Sequence, residues 1–277
     1  MPDNLPPVKL GIIAGRGELP LALAAACIEA NRPFFVLGLK GFADPARYRG
    51  MPQGFIRLGA GAEGLRLLRQ NGVEALVMGG GVQRPSLLSL RPDWRAMVLF
   101  ARIGYRALGD DGLLKAVIAE LEGEGFRVLG IEDVLPDCLA PAGSLGSATP
   151  DEQAEADIAQ GLSILKVLGP LDIGQAVVVQ QGLVLGIEAI EGTDALLARC
   201  AALRREGPGG VLVKAAKPGQ ERRADLPAIG PDTVRNAAKA GLRGIAVEAD
   251  STLVIAQAAV VEMADKTGLF VTGVTSS

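Results

Sequence analysis

A chain of 277 residues with 28 Lys and Arg against 31 Asp and Glu has a net charge of −3, which supplies no basic field for nucleic acid. It is 49% hydrophobic with mean hydropathy +0.30, and its length suits two domains of roughly 130 residues, yet no run reaches the roughly 18 apolar residues of a membrane span. Three scattered cysteines suit a reducing compartment, and the absence of histidine removes the commonest general base and transition-metal ligand. Zinc is therefore not expected. Any metal is a hard, oxygen-ligated ion, Mg²⁺ or Mn²⁺, and acid–base work falls to Asp, Glu, Lys or Tyr. The opening MPDNLPPVKLGIIAG has no basic region followed by a long apolar stretch and a cleavage site, so a cytoplasmic location is expected.

In chain order, Val8 to Ala14 reads as a buried strand, Leu19 to Ala30 as a helix and Phe34 to Leu39 as a strand. Ala62 to Asn71 reads as a helix, Ala75 to Met78 as a strand, Leu113 to Glu124 as a helix and Phe126 to Ile131 as a strand. This alternation predicts a Rossmann-like parallel-sheet domain over residues 1–135, covered on both faces by helices. Residues 136–150, rich in Pro, Gly, Ser and Ala, are expected to be a linker. A second α/β domain over 151–277 opens with a helix whose start is marked by Thr149 as N-cap candidate, Pro150, Asp151 and Glu152. A hairpin turning at Gln181-Gly182, a helix over Thr193 to Arg205 and the strand Val211 to Val213 follow. Helices over Pro231 to Ala240 and Ile255 to Lys266, with strands Ile245 to Val247 and Phe270 to Val274, complete it.

Glycines fall at the carboxyl ends of two predicted strands, where such folds place ligands: Gly15-Arg16-Gly17 after the first and Gly79-Gly80-Gly81, followed by Gln83, after the third. The first turn is not a dinucleotide fingerprint, because Pro20 stands where the third glycine belongs and the strand FFVLGLKG lacks a terminal acid. NAD is not expected, although phosphate or sugar could approach these backbones. Three consecutive glycines imply close approach of a ligand or of a second backbone. Asp110 and Asp111 read either as a metal or hydroxyl site or as a cap for the helix behind them. Over residues 91–106, Arg95, Arg102 and Arg106 stand near one helix face and Trp94, Met97, Val98, Ala101 and Tyr105 largely on the other. Such a stripe suits a membrane surface or acyl chain, or packing on the domain's own core.

The densest chemistry lies in 209–231, GGVLVKAAKPGQERRADLPAIGP. Lys214 and Lys217 can neutralise phosphate charge, Gln220 and Arg223 can hold a phosphate-bearing ligand, and Asp225 can orient water or hold Mg²⁺. Upstream, Glu188 is an acid in an apolar strand and a further metal-ligand candidate, while Thr193 is either a substrate contact or a helix cap. A charged surface loop would explain the arginines but not their enclosure by glycine and proline.

The segments IAGRGELP, GGGVQRP, LGDDGLL, AGSLGSATPDEQAEADI, VLGIEAIEGTDALL, VKAAKPGQERRADLPAIGPDT and GLRGIAVEAD, in this order, closely resemble those of the LpxI family of UDP-2,3-diacylglucosamine hydrolases. The resemblance implies a lipid A pathway enzyme that uses water and a divalent metal to cleave the substrate's pyrophosphate. Its products would be UMP and 2,3-diacylglucosamine 1-phosphate, or lipid X. It also implies two domains joined by a linker with the ligand held between them, and it places the aspartate critical for catalysis at Asp225. The motif is intact here at Lys217-Pro218-Gly219-Gln220, Arg223 and Asp225. The partner so implied is a lipid-linked UDP-sugar, with peripheral contact at the inner face of the membrane; a homodimer through the apolar second domain is compatible with the sequence. The competing readings are a non-catalytic nucleotide-sugar or lipid-binding module and, less well supported, an NAD-linked oxidoreductase.

Overall fold

The computed structural model describes residues 8–82, 92–103 and 110–275. The chain divides into two compact units: 1–136 with 221–225, and 137–220 with 226–277.

In the first unit, five strands form one parallel sheet: β1 (Leu10–Ala14), β2 (Phe34–Leu39), β3 (Gln53–Ile56), β4 (Ala75–Gly79) and β5 (Arg127–Leu129). Their spatial order is β3-β2-β1-β4-β5, so the chain reverses direction across the sheet between β1 and β4, where open α/β sheets place ligands. The described helices are α1 (Leu19–Glu29), α2 (Gly61–Gln70), α3 (Trp94–Ile103) and α4 (Asp110–Gly123). β1, β2 and β4 are apolar on both faces because helices cover both, and α1 packs Leu23 so close to Gly79 that a Cβ there would sit 2.9 Å from it. A core of Phe35, Leu37, Leu68, Leu76, Ile118 and Val128 forms beneath, with Ala224 of the 221–225 excursion packed against it.

α3 departs from the common pattern of an amphipathic helix, whose apolar stripe faces its own core. Trp94, Met97 and Val98 are 60%, 55% and 42% exposed, so these three side chains face solvent. Arg95 on the same helix pairs with Glu124 and stacks over the Trp94 ring. Among the described residues, no helix is long and apolar enough to cross a membrane.

The second unit holds a six-stranded mixed sheet in the order β6-β13-β11-β9-β7-β8, with β9 (Val211–Lys214), β11 (Gly244–Glu248) and β13 (Phe270–Val274) parallel to one another. β7 (Ala176–Gln180) runs antiparallel to both β9 and β8 (Leu183–Ile187), and β6 (Gly143–Ser144) runs antiparallel to β13. A short parallel pair joins β10 (Ala228–Ile229) to β12 (Leu253–Val254). Four helices cover the sheet: α5 (Glu152–Leu168), α6 (Thr193–Ala201), α7 (Pro231–Lys239) and α8 (Gln257–Thr267).

The stretch 136–150, expected as a linker, is built into this unit from Asp137 onward, with Ala140 fully buried and Gly143 opposite Gly273. α5 starts two residues later than its proline suggests. Asp151, with extended backbone, is the N-cap and accepts from Ala154 N–H at 2.9 Å, leaving Thr149 and Pro150 outside the helix. At the hairpin tip, Gln181 and Gly182 have φ of 53° and 75°, and buried Asp157 accepts both of their N–H groups at 3.0 and 2.7 Å.

Candidate active site

In the first unit, both glycine turns lie at the point where strand order reverses, and they bond to each other. Gly15 N–H donates to Gly79 O, while Arg16 and Gly81 exchange backbone hydrogen bonds of 2.9 and 3.0 Å. A Cβ on Gly15 would meet Gly80 O at 2.7 Å, and one on Gly80, at φ +90°, would meet Arg16 O at 2.4 Å. The close approach read from the glycine triplet is thus a second backbone at Gly15 and Gly80, and the Leu23 side chain at Gly79. Only Gly17 and Gly81 of this group face open space. The Arg16 guanidinium turns toward Gly41 O and the Phe42 ring. Gln83 lies outside the described residues, as do the side chains of Asp110 and Asp111, which occupy the first turn of α4.

In the second unit, β9 ends on Lys214, whose side chain is only 4% exposed. Its Nζ donates to Thr193 Oγ1 at 2.9 Å and to Ala228 O at 3.0 Å. The Thr193 hydroxyl in turn donates to Glu188 Oε1 at 2.6 Å, and Gln175 N–H donates to Glu188 Oε2 at 2.9 Å. Burial pushes the Lys214 ammonium below the usual lysine range, opposed by the charges of Glu188 and Asp194. Three candidates, Glu188 and Thr193 from the two ends of one loop and Lys214 from β9, thus meet in one buried chain of hydrogen bonds. Thr193 is not a cap; Gly192 holds the N-cap position of α6, and the Thr193 hydroxyl bridges Lys214 to Glu188. Lys214, expected at a phosphate, is buried with its ammonium on Thr193 and Ala228.

Past β9 the chain makes a tight turn. Lys217 N–H donates to Gln220 Oε1 at 2.8 Å, Gln220 N–H returns to Lys217 O at 3.2 Å, and Gly219 between them has φ +74°. Gln220, expected to touch substrate, closes this turn and is 9% exposed. The Lys217 ammonium reaches Asp172 Oδ1 at 2.6 Å. Lys217 and Pro218 line a groove of about 920 Å³ whose walls include Ile158 and Leu162 of α5, Glu248 at the end of β11 and Ser251.

The 221–225 excursion carries the next candidates. Arg223, expected on a phosphate, is held by Glu221 through Nε and Nη2 at 2.8 and 3.0 Å and by Glu122 through Nη1 at 2.6 Å. These carboxylates raise its pKa further, and Arg223 holds the Glu221 carboxyl below the ordinary range. Asp225 is half-buried, and its N–H donates to Glu221 O at 3.0 Å.

Of the four carboxylates expected as metal ligands, Glu188 has both oxygens engaged by protein donors and does not fit the role. Asp225 is half-buried at the end of the excursion, and among the described residues no group of three or more acidic or cysteine side chains could hold a metal by itself. Mg²⁺ keeps several waters and takes one or two carboxylates plus substrate phosphates, so it needs no all-protein cage. Asp172 also lies here, beside Lys217, and its only local signal in the sequence is the Gly169-Pro170 stop that precedes it.

Two α/β units, each with turns past the carboxyl ends of parallel strands, define a two-domain α/β protein. Residues 9–138 match the LpxI N-terminal domain and residues 141–272 the LpxI C-terminal domain. The chain is 45% identical over 275 residues to the UDP-2,3-diacylglucosamine pyrophosphatase LpxI of Caulobacter vibrioides, covering 96% of this chain and 97% of that protein. This chain belongs to the LpxI family. Among solved structures, N5-carboxyaminoimidazole synthase of Aspergillus clavatus aligns at TM-score 0.26 and 12% identity, over 73% of this chain and 45% of that one. Carboxyaminoimidazole ribonucleotide synthase of the same organism aligns at 0.23 and 13%, over 71% and 44%. The chain spans less than half the length of both, and a likeness this slight carries no argument.

Proposed function

We propose that this protein hydrolyses the pyrophosphate of UDP-2,3-diacylglucosamine to UMP and 2,3-diacylglucosamine 1-phosphate, a step of lipid A synthesis. The observation that carries the reading is 45% identity to the Caulobacter pyrophosphatase across nearly the whole of both chains. The oxygen of water adds to one phosphorus, the bridging P–O bond breaks, and its electron pair leaves on the other phosphate as the water proton is released. Asp225 orients that water by accepting its proton's hydrogen bond. Lys217 meets the negative charge that grows on the phosphate oxygens, and Lys214, through Thr193 and Glu188, keeps the end of β9 in place beneath it. A divalent cation, Mg²⁺ or Mn²⁺, held at Asp225 and by the substrate would disperse the same charge when bound.

The test is release of UMP from UDP-2,3-diacylglucosamine by the purified full-length protein, with and without a chelator. Tight binding without UMP would instead favour a non-catalytic lipid or nucleotide-sugar module. A diacylated substrate also brings a lipid surface within reach, and the exposed Trp94, Met97 and Val98 of α3 are the contact we assign to it. Co-sedimentation with anionic vesicles, lost on Trp94→Ala, tests that contact, and sedimentation of the chain alone tests the homodimer compatible with its sequence.

A further inference from the structure

We propose that Asp172 is the positioning residue for Lys217. The inference rests on the hydrolysis proposed above and adds a residue to it. α5 stops at Gly169, a 3-10 turn spans Gly169–Leu171, and Asp172 follows with φ 57° and ψ 31°. Asp is one of the few residues with a side chain that tolerates this left-handed conformation, and it caps the end of the turn. Here the Asp172 N–H donates to Gly169 O at 3.0 Å and its carboxylate meets the Lys217 ammonium at 2.6 Å.

The two turns interlock at a second point. A Cβ on Gly169 would lie 2.5 Å from Pro218 Cδ, so the absence of a side chain at 169 lets the 217–220 turn settle there. Lys217 is thereby fixed at both ends, at its backbone by Gln220 and at its tip by Asp172. Its side chain is only 14% exposed, against 38% for Asp172, so the pair is more enclosed than the solvated surface pairs that contribute little. A lysine is otherwise a point charge on a flexible stem. Asp172 takes one of its three N–H donors and leaves two for phosphate oxygens on the side of the groove that Lys217 and Pro218 line.

The experiment is a double-mutant cycle on UMP release from UDP-2,3-diacylglucosamine by the full-length protein. Asp172→Gly removes the carboxylate yet keeps a residue at ease in the left-handed region, and Lys217→Ala removes the cation. Asp172→Gly is expected to lower kcat about tenfold, with little change in KM or Tm, because a misplaced charge no longer meets the transition state. In the Lys217→Ala background it should have no further effect on kcat. Equal losses in both backgrounds, wild-type kcat in Asp172→Gly, or a loss that tracks a fall in Tm would each overturn the proposal. A wild-type protein that releases no UMP overturns the hydrolysis itself, an outcome distinct from all three.

Discussion

The glycine turns of the first unit and the lysine-bearing turn of the second both stand at the carboxyl ends of parallel strands, yet they use that position differently. In the first, Gly15 and Gly80 have no room for a side chain because each backbone leans on the other. In the second, the turn at Lys217–Gln220 is closed by its own side chain–backbone bonds, and a cation is braced at its tip. A glycine at a strand end can thus serve the fold alone. A charged side chain held against a groove is the stronger mark of chemistry, because burying charge costs free energy that only a partner offsets.

The sharpest way to break this contrast is Asp225→Ala, which should lower UMP release by about a hundredfold or more while leaving thermal unfolding nearly unchanged. Wild-type turnover in that variant would remove Asp225 from the chemistry. Next in size, Gly80→Ala should destabilise the protein by about 2–3 kcal/mol in urea unfolding, since positive φ and the Arg16 carbonyl both oppose a Cβ. Its neighbour Gly81 has open space around it, so Gly81→Ala should change stability by less than about 0.5 kcal/mol. A rise in KM with Gly81→Ala would restore a ligand role to that turn.

Thr193→Val deletes the hydroxyl between Lys214 and Glu188 and should cost about 1–3 kcal/mol in the same assay, because both buried charges lose a partner. An unchanged urea midpoint would mean the network braces nothing. The smallest effect concerns pH. Arg243, and then the Ala154 N–H, hold the Asp151 carboxyl below its ordinary value. Its contribution is therefore present above the unfolded-chain pKa of about 3.9 and is lost as pH falls through the lower folded value. Asp151→Asn should be less stable than wild type at neutral pH, with the gap narrowing in acid; a gap independent of pH would refute the carboxylate's role.

Much of the fold is legible because buried parallel strands are runs of apolar residues: the apolar run Phe34–Leu39 is β2 to the residue. β3 leaves no such trace, since QGFI is four residues long, half-buried at a sheet edge and carries Gln and Gly, so no apolar run announces it. β6 reads as linker in the sequence for a related reason, being two exposed residues whose only strand character is pairing with β13. In the site, the meeting of Glu188, Thr193 and Lys214 was legible as three separate candidates but not as one network, because their contact depends on how β8, α6 and β9 pack.

By itself the sequence determined the class of fold, the exclusion of histidine chemistry and the segment where the charges gather, since these follow from composition and period along the chain. Only the tertiary structure decided which charges are spent. Lys214, Lys217 and Arg223 look equally available in the sequence, yet the first is buried against Thr193, the second paired with Asp172 and the third clamped between Glu221 and Glu122. Pairing of charges is settled by distance in space, and burial decides how costly an unpaired charge is; neither quantity is written in the order of residues.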